Sequence, residues 1–259
     1  MAEPKIIIRD LCKTYHTVNG DIVALDHVDL DIFENEFVTI LGPSGCGKST
    51  LLNILAGLET YEVGTVEMNG KPIIGPGNDR GVIFQEYALF PWLTVRRNVE
   101  FGLRNKGYTR QKIKETADYY IKMVDLQDFA RAYPKELSGG MKQRVAIARG
   151  YAISPDVLLM DEPFGALDAQ TRIQLQEDLL HTWEQERKTC FFITHDVEEA
   201  VLLAQRVVLM SARPGRIKEI IDIDLPYPRN QETKLCDSFI RLKNQIGAMV
   251  YKEYLEVRK

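Results

Sequence analysis

The stretch Gly42-Pro43-Ser44-Gly45-Cys46-Gly47-Lys48-Ser49-Thr50 fits the pattern G-x-x-x-x-G-K-[ST], and its flanks decide what the pattern means. Before it, Phe37 to Leu41 is a continuous apolar run that reads as a buried strand. After it, Thr50 to Leu58 reads as a helix. Strand, glycine-rich turn and helix in that order make an anion cradle. Glycines let the backbone turn tightly enough for its N–H groups to face a polyphosphate, and the helix adds the positive end of its dipole. Lys48 then reaches the terminal phosphates as a point charge, the Ser49 hydroxyl suits a magnesium ion, and Thr50 serves the helix.

Outward from this turn the chain alternates between strand and helix patterns. Short apolar, β-branched runs lie at Gly81 to Phe84, Val157 to Met160, Cys190 to Thr194 and Arg206 to Met210. Upstream, VDLDIFENEFVTIL (28–41) begins as a half-exposed strand, with Val28, Leu30 and Ile32 alternating, and ends buried. Helical patterns follow Ser49 and cover Met141 to Ile153, Ala169 to Arg187 and Asp196 to Ala204. The alternation predicts an α/β fold with a mostly parallel sheet and crossover helices. From about Tyr87 to Glu136 the rhythm breaks, since no strand is legible and Ile113, Ala117, Tyr120, Ile121 and Val124 keep helical spacing; this reads as an inserted helical subdomain. Pro226 and Pro228 are expected to end a strand, and a mixed helical tail runs from about Asp237 to Glu256.

Composition excludes several classes. With 259 residues, 45% apolar and 27% charged, and a formal charge of -4, the chain is an ordinary globular protein and a poor general nucleic-acid binder. Cys12, Cys46, Cys190 and Cys236 include no C-x-x-C pair, which fits a reduced cytosolic setting without zinc or a redox dithiol. No secretory signal and no membrane-length apolar stretch is present, so work at a membrane would need another chain.

A phosphate loop alone leaves kinases, GTPases and ATPases open. Asp161 and Glu162 end the apolar strand Val157 to Met160, at the edge where α/β proteins bind ligands. Asp161 suits magnesium ligation through a water or from behind the direct ligands, and Glu162 is the candidate base that polarises attacking water. Gln85 and His195 each follow a strand in the same way, and this position, more than residue type, makes them candidates for contacts to a γ-phosphate or its water. A GTPase would need an N-K-x-D guanine motif, whereas Asn105-Lys106 is followed by Gly107 and Tyr108.

Leu137-Ser138-Gly139-Gly140-Met141-Lys142-Gln143-Arg144 resembles the LSGGQ signature of ATP-binding cassette proteins, and the resemblance extends over nearly the whole chain. A hydroxyl and two glycines ahead of a helix form a second anion site. The family explains the duplication: two subunits pack head to tail, and each signature closes over the ATP held by the other. The resemblance implies an α/β P-loop NTPase (RecA-like) core with an antiparallel β subdomain, spanning 1–86 and 137–225, an inserted α-helical subdomain at 87–136, and a C-terminal helical tail at 226–259. It implies ATP and Mg2+ as cofactors. In this resemblance Tyr15 matches the adenine-stacking aromatic, Gly42 to Thr50 the Walker A loop, and Gln85 the Q-loop. Ser138, Gly139 and Gly140 form the signature, Asp161 and Glu162 the Walker B pair, Ala166-Leu167-Asp168 the D-loop, and His195 the switch histidine. Ser49, Gln85 and Asp161 would surround the metal. Catalysis would fall to Lys48, Gln85, Glu162 and His195. Met141 departs from the usual Gln and Gly165 from a common Ser, and neither removes a catalytic group.

Gln85 to Val95, Asn98-Val99, Phe101-Gly102-Leu103 and Met210 to Ile217 resemble the nitrate, sulfonate and taurine importer branch. That branch implies a homodimer on the cytoplasmic face of the bacterial inner membrane, bound peripherally to permease subunits, served indirectly by a solute-binding protein, and without a nucleic-acid partner. Tyr87, Phe90 and Trp92 would line a groove for a permease helix. Cys46, beside Lys48 and a helix N-terminus, is expected to favour thiolate, so that maleimide inactivates the enzyme and MgATP protects it.

Overall fold

The computed structural model describes residues 3–165 and 167–257. They form two compact units, 1–77 with 187–259, and 78–186.

In the first unit, β1 (Pro4–Thr17) and β2 (Gly20–Phe33) pair antiparallel along their whole length. Ile6, Ile8 and Leu11 on β1 and Leu25, Val28, Leu30 and Ile32 on β2 are buried. β4 (Val63–Met68) pairs with the other edge of β1 and β5 (Lys71–Pro72) with β4, giving the order β2-β1-β4-β5. The strand read from Val28 therefore begins eight residues earlier, at Gly20. Its first part leaves Ile22 and Val23 exposed and shifts register against β1, so alternation does not mark it; pairing with β1 and a bridge from Leu25 to Gly215 hold it extended.

A second sheet carries the phosphate loop. β3 (Phe37–Leu41), buried at all five residues, lies between parallel neighbours β8 (Thr189–Ile193) and β9 (Arg206–Met210), and β10 (Ile217–Asp222) runs antiparallel along β9. Burial on both faces explains why these strands read as unbroken apolar runs. β10 stops at Asp222, so Pro226 and Pro228 lie beyond the strand rather than at its end. α1 (Lys48–Ala56) follows the loop, α6 (Val197–Leu203) follows β8, and α7 (Asp237–Val257) packs on α6.

In the second unit, β6 (Arg80–Ile83) and β7 (Val157–Asp161) are parallel neighbours. Between Tyr87 and Glu136 the described residues hold two α-helices, two short 3-10 turns and no strand. α2 (Val95–Asn105) buries Val95, Val99 and Leu103 on one stripe, and α3 (Arg110–Met123) buries Ala117, Tyr120 and Ile121. Thr94 and Thr109 cap them, accepting from the N–H groups of Arg97 and Lys112. α4 (Gly139–Ala152) packs on both, and α5 (Ala169–Glu186) buries Leu175, Leu179 and Trp183. Among the described residues no helix is long and apolar enough to cross a membrane.

Candidate nucleotide site

The first unit contributes the phosphate loop. Gly45 (φ 75°) and Gly47 (φ 92°) take left-handed conformations that a side chain would strain. Gly47 is also the N-cap of α1 and, having no side chain, supplies no cap to that helix. Lys48 is buried at 6% exposure and folds its ammonium back over the loop, donating to the carbonyls of Gly42 (2.8 Å) and Pro43 (3.0 Å). A phosphate would offer that ammonium an anionic acceptor in place of these neutral ones. Ser44 and Ser49 are exposed at the rim.

Cys46 corrects the sequence-based expectation. It is 1% exposed, and burial pushes its thiol up from the ordinary value, outweighing the Lys48 ammonium 3.8 Å away. The residue behaves as a small apolar group under the loop.

Tyr15, near the end of β1, donates its hydroxyl to Thr50 Oγ1 and Glu59 Oε2, each at 3.4 Å, so its ring is tied to the start of α1. Lys13 Nζ sits 5.1 Å from the ring centroid and pairs with Glu59 (3.1 Å) and Glu62 (3.2 Å). Composition gave no hint of this cluster, because its members are about 50 positions apart. His195 emerges exposed just past β8. The next residue, Asp196, caps α6 by accepting from Glu198 (2.7 Å) and Glu199 (3.3 Å), which fixes the chain direction where the imidazole leaves the sheet.

The second unit brings Gln85, Asp161 and Glu162 to the C-terminal ends of β6 and β7. Gln85 Nε2 and Glu162 Oε2 lie 3.8 and 3.7 Å from the point where a Cβ on Gly165 would stand, so amide and carboxylate share one neighbourhood. Glu162 has φ 42°, a left-handed backbone unusual for this residue type. The turn that follows is closed by Gly165 N–H donating to the Glu162 carbonyl at 3.1 Å. Gly165 is exposed, and a Cβ there would stand in ordinary contact, 3.5 Å from the Glu162 carbonyl oxygen.

Ser138 is the N-cap of α4, its hydroxyl accepting from Met141 N–H at 3.3 Å. Gly139 is exposed, and Gly140 is buried with no room for a Cβ, which would meet Thr171 Cγ2 at 2.3 Å. Asp168 caps α5 from outside, accepting from Thr171 N–H at 3.0 Å, and that bond holds its carboxyl below the usual range. Ala166, part of the expected D-loop, lies outside the described residues.

One contact beside Gln85 had no sequence signal. Tyr87 (φ 30°) and Ala88 (φ 45°), just past Gln85, hold strained backbones whose carbonyls accept from Arg149 at 3.2 and 2.7 Å. Tyr87 Oη also lies 3.1 Å from the Cβ position of Gly139. Tyr87 thus sets its hydroxyl beside the signature while staying half-buried. Trp92 is 69% exposed and leans on Phe90 (5.6 Å between centroids), while buried Asn98 pins the loop by donating to the Phe90, Leu93 and Thr94 carbonyls.

Similarity agrees with this geometry. A family model described as "ABC transporter" matches residues 25–165. An uncharacterized ABC transporter ATP-binding protein of Methanocaldococcus jannaschii is 55% identical over 98% of this chain and 94% of its own length. A nitrate import ATP-binding protein of Synechocystis is 48% identical, covering 94% of each chain. An aliphatic sulfonates import ATP-binding protein of Bacillus cereus is 45% identical over 93% of this chain and 94% of its own. Among solved structures, an ATP-binding cassette captured as a dimer in a post-hydrolysis state with ADP and Pi is 33% identical, with a TM-score of 0.76 over 85% of this chain and all of that one. With a loop of the right geometry, strand-end carboxylates, a signature helix and relatives aligned end to end, the chain belongs to the ABC transporter family and is its ATP-binding, ATP-hydrolysing subunit.

Proposed function

We propose that this ATPase powers uptake of a small solute of the nitrate, sulfonate or taurine type through permease subunits supplied by other chains, with a solute-binding protein acting upstream. The relatives named for nitrate and aliphatic sulfonate import support the branch. The observation that carries the coupling role is Trp92: a large, exposed aromatic on a loop locked by Asn98, a few residues past Gln85. An exposed indole held this rigidly binds a partner at low entropic cost. Such a subunit sits peripherally on the cytoplasmic face of the bacterial inner membrane, and no nucleic-acid partner is invoked.

In this reading backbone N–H groups of the Gly42 to Thr50 loop, where Pro43 has none and Cys46 gives its own to the Pro43 carbonyl, act with the Lys48 ammonium to hold the β- and γ-phosphates, and Tyr15 stacks on adenine. Glu162 accepts a proton from the attacking water, and Gln85 and His195 orient that water and the γ-phosphate. Ser49 Oγ and Gln85 Oε1, with Asp161 acting through water, offer the hard oxygens that would suit Mg2+, and the ion would neutralise phosphate charge. Ser138, Gly139, Gly140 and Asp168 serve the ATP of a second copy in a head-to-tail dimer, as the dimeric cassette relative supports. Met141 leaves this contact intact because the hydroxyl and backbone, not the side chain at 141, supply it.

Glu162→Gln tests the assignment. The variant is expected to bind ATP and dimerise while turnover falls about 100-fold or more. Unchanged turnover overturns Glu162 as the base. Co-purification with a polytopic membrane protein is expected for the importer, whereas retention on nucleic acid would turn the reading toward a cassette ATPase acting on DNA or ribosomes.

A further inference from the structure

The segment Met210 to Ile217 resembles its counterparts in importer ATPases, yet no nucleotide motif accounts for it. It packs against the back of the phosphate loop. A Cβ on Gly42 would stand 3.0 Å from the Met210 carbonyl oxygen, and one on Gly45 would stand 2.6 Å from Arg213 Nη2. In the other direction, a Cβ on Gly215 would meet the Cys46 carbonyl at 2.2 Å and that of Ala24 at 2.8 Å. Ala24 in turn blocks Gly47, whose Cβ would come within 2.6 Å of the same carbonyl. Three backbones are stacked too closely for side chains, which is why glycine occupies each contact.

Hydrogen bonds fix this stack. Gly215 N–H donates to the Ala24 carbonyl (3.1 Å), and Asp26 N–H donates to the Gly215 carbonyl (3.0 Å). Ser211 closes the turn on itself: its hydroxyl donates to the Pro214 carbonyl (2.7 Å) and accepts from Arg216 N–H (2.9 Å). From outside, the buried carboxylate of Glu253 on α7 accepts from Ala212 N–H at 3.3 Å, which links the C-terminal helix to the turn. At the apex, Arg213 Nε donates to the Gly45 carbonyl at 3.3 Å.

The last contact sets a peptide plane. Within one trans peptide the carbonyl and the following N–H point in opposite directions. Drawing the Gly45 oxygen out toward Arg213 turns the N–H of Cys46 across the loop, where it donates to Pro43 at 3.3 Å. We propose that the 211–216 turn is a clamp that holds the phosphate loop in its nucleotide-ready shape, with Arg213 as a positioning residue for the Gly45–Cys46 peptide. Arg213 acts on ATP through the loop. Its loss lets the loop sample shapes that do not bind nucleotide, and apparent affinity falls by the fraction of time spent in them.

The proposal rests on ATP binding by the intact chain, so the test separates the two. ATP affinity, KM and kcat are measured for the wild type, Arg213→Ala and Arg213→Lys. Arg213→Ala is expected to raise both the ATP Kd and KM about fivefold, the size expected for one partly exposed charge-assisted hydrogen bond, with kcat at saturation shifting by less than about twofold. Arg213→Lys, which keeps a donor but not the planar fork, recovers part of the loss. An ATP Kd and KM within about twofold of wild type for Arg213→Ala, or a fall confined to kcat, overturns the clamp. A wild-type chain that binds no ATP would instead strike at the ATPase assignment.

Discussion

Arg229 is 4% exposed, and its guanidinium reaches five backbone carbonyls. Val201 (3.1 Å), Leu202 (3.3 Å) and Ala204 (2.7 Å) belong to the C-terminal end of α6, where a cation also meets the negative end of the helix dipole. Ile223 (3.2 Å) and Leu225 (2.7 Å) belong to the strand-to-tail connection. The Tyr227 ring lies 4.0 Å from the guanidinium carbon, and its hydroxyl donates to Leu203 at 2.9 Å. Arg229→Met keeps the apolar stem but strands these acceptors. Taking the three bonds of 3.1 Å or less as worth about 1–1.5 kcal/mol each gives a loss of about 3–5 kcal/mol. For a chain of this size that lowers the melting midpoint by roughly 6–20 °C. Arg229→Lys should recover only part, since one ammonium cannot span carbonyls on two segments. Thermal melting followed by circular dichroism checks both variants. A Met variant melting within about 2 °C of wild type, or a Lys variant indistinguishable from it, would refute the inference that this side chain fastens the tail to α6.

Cysteine chemistry offers a second check. Cys236 is exposed and its thiol is pulled down by the Ser238 hydroxyl 3.3 Å away, whereas burial pushes Cys46 up. Maleimide at neutral pH is therefore expected to modify Cys236 first, with mass spectrometry reporting the site; equal rates at Cys46 would show that the loop opens readily. A third concerns pH. Glu198 pairs with Lys243 (2.6 Å) and Lys234 (2.9 Å), and the Lys243 bond chiefly holds its carboxyl below the usual range. A depressed carboxylate stabilises the fold above the ordinary pKa, and that contribution is lost as pH falls through the lowered folded value. Glu198→Gln should cost under about 1 kcal/mol at neutral pH, because the pair is partly exposed. The gap to wild type should close on acidification, and a gap independent of pH would remove the ion pairs as its cause.

Much of this protein was legible where physics is local. β3, β7, β8 and β9 read directly as apolar runs, because strands buried on both faces need no alternation. The loop from Gly42 to Thr50 was recognisable because its left-handed turns admit glycine at Gly45 and Gly47. Ser138 was readable as the residue that opens a helix, but as part of an anion site; that its hydroxyl caps α4 by accepting from Met141 N–H is seen only in the structure. The start of β2 was not, because Ile22 and Val23 are exposed and the strand exists through its pairing with β1. Nor was α2 located, although Val95, Val99 and Leu103 form its stripe, since the residues ahead of it read as aromatic loop.

The sequence by itself determined the family, the ATP chemistry and the order of the elements that bear them, because each rests on a few adjacent residues with a fixed geometric need. Tertiary structure decided what residues distant in the chain do to one another. It made Cys46 a buried thiol in spite of Lys48, because desolvation depends on everything packed around the sulfur. It set Arg149 against the strained carbonyls after Gln85, and Arg213 against a loop 168 positions away. Burial and long-range hydrogen bonding are sums over neighbours that only the folded chain assembles, and no local pattern encodes them.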